Sequence, residues 1–413
     1  MKHCITIICV LLISITLLNG CSVVNVLRMM GANNDLVPKW PSSKKQQILD
    51  AFYIGEKPYI KVKANDDTEL LFLIDTGASF SMVFDTETGK SVADKKGFDL
   101  SIQGWGDGEN TPAYQTELNS LDIGEVTFND VKVAYIPIST SQYYLNDKEA
   151  IFDGVLGHDL MKHFSWTFDK KVSKITMSSE GYKPKSTDSV VPFDVSFSKL
   201  SIPAIVKFNE TEFVEKEVII DTGSRHYLKL SSIYPKNNDI TLPETKVRAA
   251  DFGMSGVALH ERIVLPNIQI GEVVFTNVKT NLIKSDDEDD WWVIGSALMN
   301  QYVTIIDYHN NIFVIQEDKN KPFATKFNLA GLDIRKLKNG NLFVRYVYPD
   351  LPAKASGLKQ GDEIESINGI DANSLSEEDW LKMASKPAIF NICKVKSDCK
   401  KFKTKHIQGY SDF

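Results

Sequence analysis

The tripeptide Asp-Thr-Gly occurs twice in the chain, as Asp75-Thr76-Gly77 and as Asp221-Thr222-Gly223, each time at the end of an apolar run. The runs are Phe72-Leu73-Ile74 and Val218-Ile219-Ile220. A carboxylate set directly after a buried strand is costly unless it is paired or hydrogen-bonded. Two such sites in matching surroundings point to two carboxylates, Asp75 and Asp221, built to face each other. Carboxylates forced together cannot both ionise cheaply, so they share a proton. The ionised member can take a proton from a water molecule while the protonated member donates to a carbonyl oxygen. The chemistry that suits such a pair is general acid–base activation of water. Gly77 and Gly223 have no Cβ and let backbone N–H groups approach the carboxylates.

The surroundings repeat along with the tripeptide. Pro58-Tyr59-Ile60-Lys61-Val62 precedes the first copy, and Pro203-Ala204-Ile205-Val206-Lys207 the second. Downstream, Leu121-Asp122-Ile123-Gly124-Glu125-Val126 matches Ile268-Gln269-Ile270-Gly271-Glu272-Val273. Gly154-Val155-Leu156-Gly157 then matches Trp292-Val293-Ile294-Gly295. Each half closes on a strand–turn–strand unit, Thr167–Asp169 with Ile175–Met177 and Ile305–Asp307 with Ile312–Val314. Order and spacing hold along both halves, as one duplicated unit would require. Short alternating runs between turn residues predict strands throughout. The segments after Gly157 and Gly295 are the expected helices.

Composition narrows the chemistry further. A chain of 413 residues has room for two or three domains. Its net charge of -7 argues against a nucleic-acid partner. Scattered histidines and the lack of phosphate-loop, dinucleotide and zinc-protease patterns imply neither metal nor organic cofactor. The acidic run Asp286-Asp287-Glu288-Asp289-Asp290 reads as a solvated loop. Of the adjoining Trp291 and Trp292, at least one is expected in the core.

The first twenty residues read as an export signal. Met1-Lys2-His3 is a basic start, Ile5–Leu18 is almost wholly apolar, and Leu18-Asn19-Gly20-Cys21 ends the run. That apolar stretch is shorter than the roughly 20 residues a membrane-spanning helix needs. The ending resembles a bacterial lipobox, which makes Cys21 the expected lipidation site. An ordinary cleaved signal is the alternative. Residues 21–47 then read as a tether. Cys393 and Cys399 are left as a pair, either a disulfide closing a small loop or two free thiols.

A third unit begins near Lys321. Leu351-Pro352-Ala353, Gly357-Leu358, Gly361-Asp362 and Ile367-Asn368-Gly369 occur in the order of the bacterial PDZ signature, which this segment resembles. Ser376 is a candidate N-cap for a helix reaching Ala384. The resemblance implies capture of a peptide end by strand addition. Its carboxylate loop would be Leu329-Ala330-Gly331-Leu332. A docked module with a blocked groove is the alternative.

The doubled halves resemble the retropepsin and pepsin-like aspartic proteases over most of residues 50–318. The resemblance implies a mainly β fold with two homologous β-barrel lobes and a dyad of Asp75 and Asp221. Thr76 and Thr222 would lock the two loops together. Ser224 would offer a hydroxyl beside Asp221, where Ala78 offers none beside Asp75. Asp75 is therefore expected to have the less stabilised anion, and activity to extend above the strongly acidic range. Gly104-Trp105-Gly106 and Gly253-Met254 would be flap tips, or else plain hairpin turns. Arg225 departs from the small residue usual at its position. Turned inward it would favour full ionisation of the dyad, but charged side chains usually remain solvated, so it is expected to turn outward as a surface or lobe-packing group. His158 is expected to hold structure.

The expected organisation is signal 1–20, tether 21–47, lobe one 48–182, lobe two 183–320 and PDZ domain 321–413. The partners expected are a peptide or unfolded protein substrate, a peptide ligand for the PDZ unit, and a membrane reached through the lipid anchor. A second copy is not required, since both aspartates come from one chain. The setting expected is the bacterial cell envelope, periplasm or outer membrane. A catalytically silent peptide binder and a processing protease with one dedicated substrate are the competing readings.

Overall fold

Alternating apolar residues predict strands over most of the chain, and strands form there. The computed structural model describes residues 23–65, 67–93, 95–285, 287 and 292–410. The protein is mainly β, with sheets of thirteen, eight and six strands among the described residues. Cys21 and the signal lie outside the described residues, as do Asp286, Glu288, Asp289, Asp290 and Trp291.

The strand pairing around the two tripeptides is the same in each half. In the first, Lys57–Ala64 pairs antiparallel with Thr68–Ile74, which runs parallel to Gly154–Leu156. Met82–Phe84 pairs antiparallel with Gly154–Leu156 and parallel with Val126–Ile136. In the second, Lys199–Lys207, Phe213–Asp221, Trp292–Gly295, Leu228–Ser231 and Val273–Ile283 make the same contacts in the same senses. Parallel strands are buried on both faces, which explains the unbroken apolar runs before each aspartate. Trp292 is fully buried in the core.

The strand–turn–strand closures join the halves. Val303–Asp307 pairs antiparallel with Ser165–Asp169, with Thr304 opposite Phe168 and Asp307 opposite Ser165. Flanking strands extend this into one sheet built from both halves. One apolar core, including Ile74, Leu156, Ile220 and Ile294, runs continuously through both.

The segment read as a tether is instead folded onto the first half. Residues 23–31 are helical, and Met29 is fully buried beside Phe80 and Met82. Asn33 Nδ2 donates to Asp159 Oδ2 at 2.6 Å and to the Lys132 carbonyl at 2.8 Å. The physical reason is the spacing of Val26, Met29 and Met30, which puts apolar side chains on one helix face.

The C-terminal unit has its own core around Leu332, Ile364, Ile367 and Trp380. Leu332–Lys336 is the outer strand of its sheet. The helix Glu377–Ala384 is capped by Ser376, whose hydroxyl accepts from Asp379 N while the Asp379 carboxylate accepts from Ser376 N. Cys393 and Cys399 face each other across neighbouring strands and are disulfide-bonded. No described helix is long and apolar enough to cross a membrane.

Candidate active site

The two Asp-Thr-Gly loops meet where the halves join. Thr76 Oγ1 donates to the Ile220 carbonyl at 2.7 Å and accepts from Thr222 N at 3.0 Å. Thr222 Oγ1 donates to the Ile74 carbonyl at 2.8 Å and accepts from Thr76 N at 3.0 Å. Each hydroxyl thus acts as donor and acceptor across the interface, and both threonines are buried. Only a hydroxyl can hold both roles at that position. Beneath each loop runs the apolar-apolar-Gly element. His158 N donates to the Ala78 carbonyl at 2.9 Å, and Ser296 N to the Ser224 carbonyl at 2.7 Å. His158 therefore serves the loop through its backbone.

The glycines bring the carboxylates together. A Cβ on Gly77 would lie 2.7 Å from Asp221 Cγ, and one on Gly223 would lie 2.2 Å from Asp75 Cγ. Each carboxylate therefore rests against the glycine of the opposite loop. Asp75 Oδ1 accepts from Gly77 N at 2.7 Å. Burial, and next to it the Asp221 carboxylate, push the Asp75 carboxyl up to about 7, against a smaller pull from Lys199, Lys57 and the Gly77 amide. Asp221 Oδ1 is buried with no hydrogen-bond partner among the described residues.

Ser224 corrects one expectation. Its hydroxyl is buried and has no partner among the described residues, so it does not hydrogen-bond Asp221. Its backbone is the part engaged, with Ser224 N donating to the Asp221 carbonyl at 3.2 Å. Arg225 turns away from the dyad. Its guanidinium reaches Asp333 at 2.7 Å and Glu377 at 3.6 Å, both in the C-terminal unit.

The two glycine-rich hairpins meet over the site. Ser255 N donates to the Trp105 carbonyl at 2.9 Å, Gly108 N to the Ser255 carbonyl at 2.7 Å, and Asp107 N to the Val257 carbonyl at 3.0 Å. A Cβ on Gly104 would lie 2.6 Å from Met254 Cβ, and one on Gly253 would lie 2.2 Å from the Trp105 carbonyl oxygen. Gly106 holds φ at +128°, a conformation open to glycine. The Lys229 ammonium sits 3.5 Å from the centre of the Trp105 ring, a cation–π contact beneath the roof.

Under this roof lies a cavity of about 480 Å³ that contains both aspartates. Leu73, Phe80, Met82 and Phe152 give it an apolar wall from the first half. Lys199, Arg225, His226 and Lys229 line the side built by the second. Arg335, Lys336 and Arg345 of the C-terminal unit close part of it, and Val23, Val26 and Leu27 of the N-terminal helix also line it.

The expected carboxylate loop of the C-terminal unit is used internally. Ala330 and Leu332 are buried. Gly331 N donates to Asn328 Oδ1 at 2.9 Å, and the Leu332 carbonyl accepts from Trp380 Nε1 at 3.0 Å. Several contributors escaped the sequence reading. The Lys199 ammonium donates to the Gly77 carbonyl, and Lys57 Nζ approaches Tyr143 Oη at 3.4 Å. Ser81 Oγ accepts from Gly157 N at 3.0 Å and donates to Asp159 at 2.8 Å. Ser81 lies four residues after the first Asp-Thr-Gly and Lys57 directly before the Pro58–Val62 repeat, but nothing in the type or spacing of either lysine marks it as reaching the site.

Comparison with known families agrees with the geometry. Residues 60–160 match the family model described as aspartyl protease, and residues 315–389 match the model described as PDZ domain. No curated protein matches the chain. The chain carries an aspartyl protease domain followed by a C-terminal PDZ domain.

Proposed function

We propose that the protein is an aspartic endopeptidase whose dyad is Asp75 and Asp221, one from each of two retropepsin-like lobes of a single chain. The observation that carries this reading is the reciprocal arrangement of the two loops, with cross-bonded threonines and each carboxylate against the other loop's glycine. Asp75, raised by burial and by its partner, holds the shared proton and donates it to the scissile carbonyl oxygen. Asp221 takes a proton from the attacking water. The resulting tetrahedral diol collapses as its C–N bond breaks: the leaving nitrogen takes the proton now held by Asp221, and a diol hydroxyl returns its proton to Asp75 as the new carbonyl forms, which restores the singly protonated pair. No covalent enzyme intermediate forms. The meeting hairpins act as flaps that exclude water and must part for a peptide to enter.

Arg225 is the residue that would have favoured a catalytically silent binder. Its pairing with Asp333 supports the active reading. The closed roof and the wall from the PDZ unit favour a narrow substrate range, as in a processing protease with a dedicated substrate. The substrate class is an extended peptide or an unfolded segment. The signal pattern and Cys21 support a lipid-anchored protein of the bacterial cell envelope, in periplasm or outer membrane. The test is cleavage of a degenerate peptide pool, read by mass spectrometry, by the chain from Ser22 onward. Asp75→Asn and Asp221→Asn should each abolish cleavage, and cleavage surviving in either would refute the dyad.

A further inference from the structure

The C-terminal unit meets the cleft through the two elements that flank its peptide groove. A PDZ domain takes its ligand as an added strand on an exposed sheet edge. Here that edge is Leu332–Lys336, and the helix beside it is Glu377–Ala384. The edge is already occupied by side chains. The Leu332 carbonyl accepts from Trp380 Nε1 at 3.0 Å. The Ile334 carbonyl accepts from the Arg335 guanidinium at 3.0 Å, and Lys336 N donates to Glu377 Oε1 at 3.0 Å. A peptide strand can pair here only by displacing them.

The displaced carboxylate has a second engagement. Glu377 Oε2 lies 3.6 Å from Arg225 Nη1. Arg225 Nη2 donates to Asp333 Oδ1 on the edge strand at 2.7 Å. Both carboxylates are almost wholly buried. Burial opposes ionisation of Asp333, and Arg225 with Arg335 overcome it, bringing its carboxyl down to about 2. The turn at Gly55 is pressed into the same junction, where a Cβ would lie 2.8 Å from Glu377 Oε2. The next residue, Glu56, donates its backbone N–H to Glu378 Oε1 at 3.2 Å. Gly55, Arg225 and Glu377 all line the cleft.

We infer that Arg225 is a positioning residue that latches the groove of the PDZ unit onto the second Asp-Thr-Gly loop, so that groove and cleft cannot rearrange independently. In this closed form the PDZ unit is a wall of the cleft, and a strand entering the groove must release Arg225. The role assigned to Arg225 rests on the dyad proposed above. Coupling of this kind is reciprocal, so occupancy of the cleft must also steady the groove.

The test uses the chain from Ser22 onward with Arg225→Ala, Arg225→Lys and the near-isosteric Asp333→Asn. Hydrogen exchange of the ligand-free protein comes first. Asp333→Asn should speed exchange by about tenfold in residues 222–227, across the interface from the substitution, as well as at Lys336. Acceleration confined to the PDZ unit would overturn the latch. A peptide carrying a hydroxyethylene isostere in place of a cleaved bond is then the cleft probe. It should slow exchange in 332–336 of the unsubstituted protein and fail to do so in Arg225→Ala, with Arg225→Lys restoring part of the effect. Equal protection in all variants would also overturn the latch. Lack of cleavage by the unsubstituted protein would instead count against the dyad, and the ligand-free exchange experiment would still decide the latch.

Discussion

At the scale of single residues, the site depends on two carboxylates that cannot both be charged at low cost. Burial and Asp221 raise Asp75 to about 7, so the singly protonated pair persists up to that pH. Cleavage should hold through mildly acidic conditions and fall above about pH 7 as the second proton leaves. A pH–rate profile that peaks at pH 3 or below would contradict this. Gly223→Ala gives a second prediction. Its Cβ would intrude to 2.2 Å from Asp75 Cγ, so the carboxylate must move. Activity should drop by about two to four orders of magnitude with far-ultraviolet circular dichroism unchanged. An active Gly223→Ala enzyme would show that the carboxylate is not seated there. The doubled tripeptide was legible because its meaning is local and repeated. The outward turn of Arg225 followed from the preference of a charged side chain for solvent, but its partners were not legible, because Asp333 and Glu377 lie more than a hundred residues away in sequence. Ser224 misled for a related reason. A hydroxyl next to an aspartate in sequence says nothing of which way its rotamer turns.

At the scale of elements, the strands were readable from period and turn residues, and so were the short helices His158–Met161 and Ser296–Met299. The N-terminal helix was missed although Val23, Val26, Leu27 and Met30 fall at helical spacing. The pattern covers only about two turns, at residues 23–31, and polar residues follow it, so it stands out little from the sequence around it. Its docking has a measurable cost. Met29 is fully buried, so Met29→Ala should lower stability by about 2–5 kcal/mol in denaturant unfolding. A change below half a kcal/mol would mean that the helix is not packed there. The two glycine-rich hairpins give a prediction of another kind. Gly106 combines φ +128° with a Cβ position 2.4 Å from Ser255 C. Gly106→Ala should keep the hairpins from meeting, raising KM and lowering kcat together by about tenfold or more while leaving thermal stability nearly unchanged. Unaltered kinetics would show that the meeting of the hairpins is not needed for turnover.

At the scale of the whole molecule, the two halves, the PDZ unit and the N-terminal segment converge on one cavity, and little of that convergence is written in any single segment. The sequence showed three units in order. It could not show that Arg262 Nη1 reaches Tyr348 Oη at 2.5 Å across two of them, because such contacts depend on how finished surfaces meet. The pH dependence of stability reports on this assembly. Asp75 binds its proton more tightly in the folded protein than the ordinary carboxyl value near 4 of the unfolded chain. The folded form therefore keeps a proton that the unfolded form releases as pH rises above about 4, and the contribution of this group to stability falls with rising pH up to about 7. Asp333 has the opposite sign. Held down to about 2 by Arg225 and Arg335 against the effect of burial, it contributes stability that is present above about pH 4 and lost as pH falls through 2. Burial also lowers the pKa of His158, His163, His226 and His260, which take stability away as pH falls below about 6.5, so the two carboxyls are read from the difference in thermal midpoint between each variant and the unsubstituted protein. Asp75→Asn should gain on the unsubstituted protein as pH rises from about 4 to 7, and Asp333→Asn should gain on it as pH falls from about 4 toward 2. If the Asp75→Asn curve instead runs parallel to that of the unsubstituted protein from pH 4 to 7, the strain of paired carboxylates is not borne at this junction. The proton-sharing dyad would then lose its thermodynamic support, even if cleavage were observed.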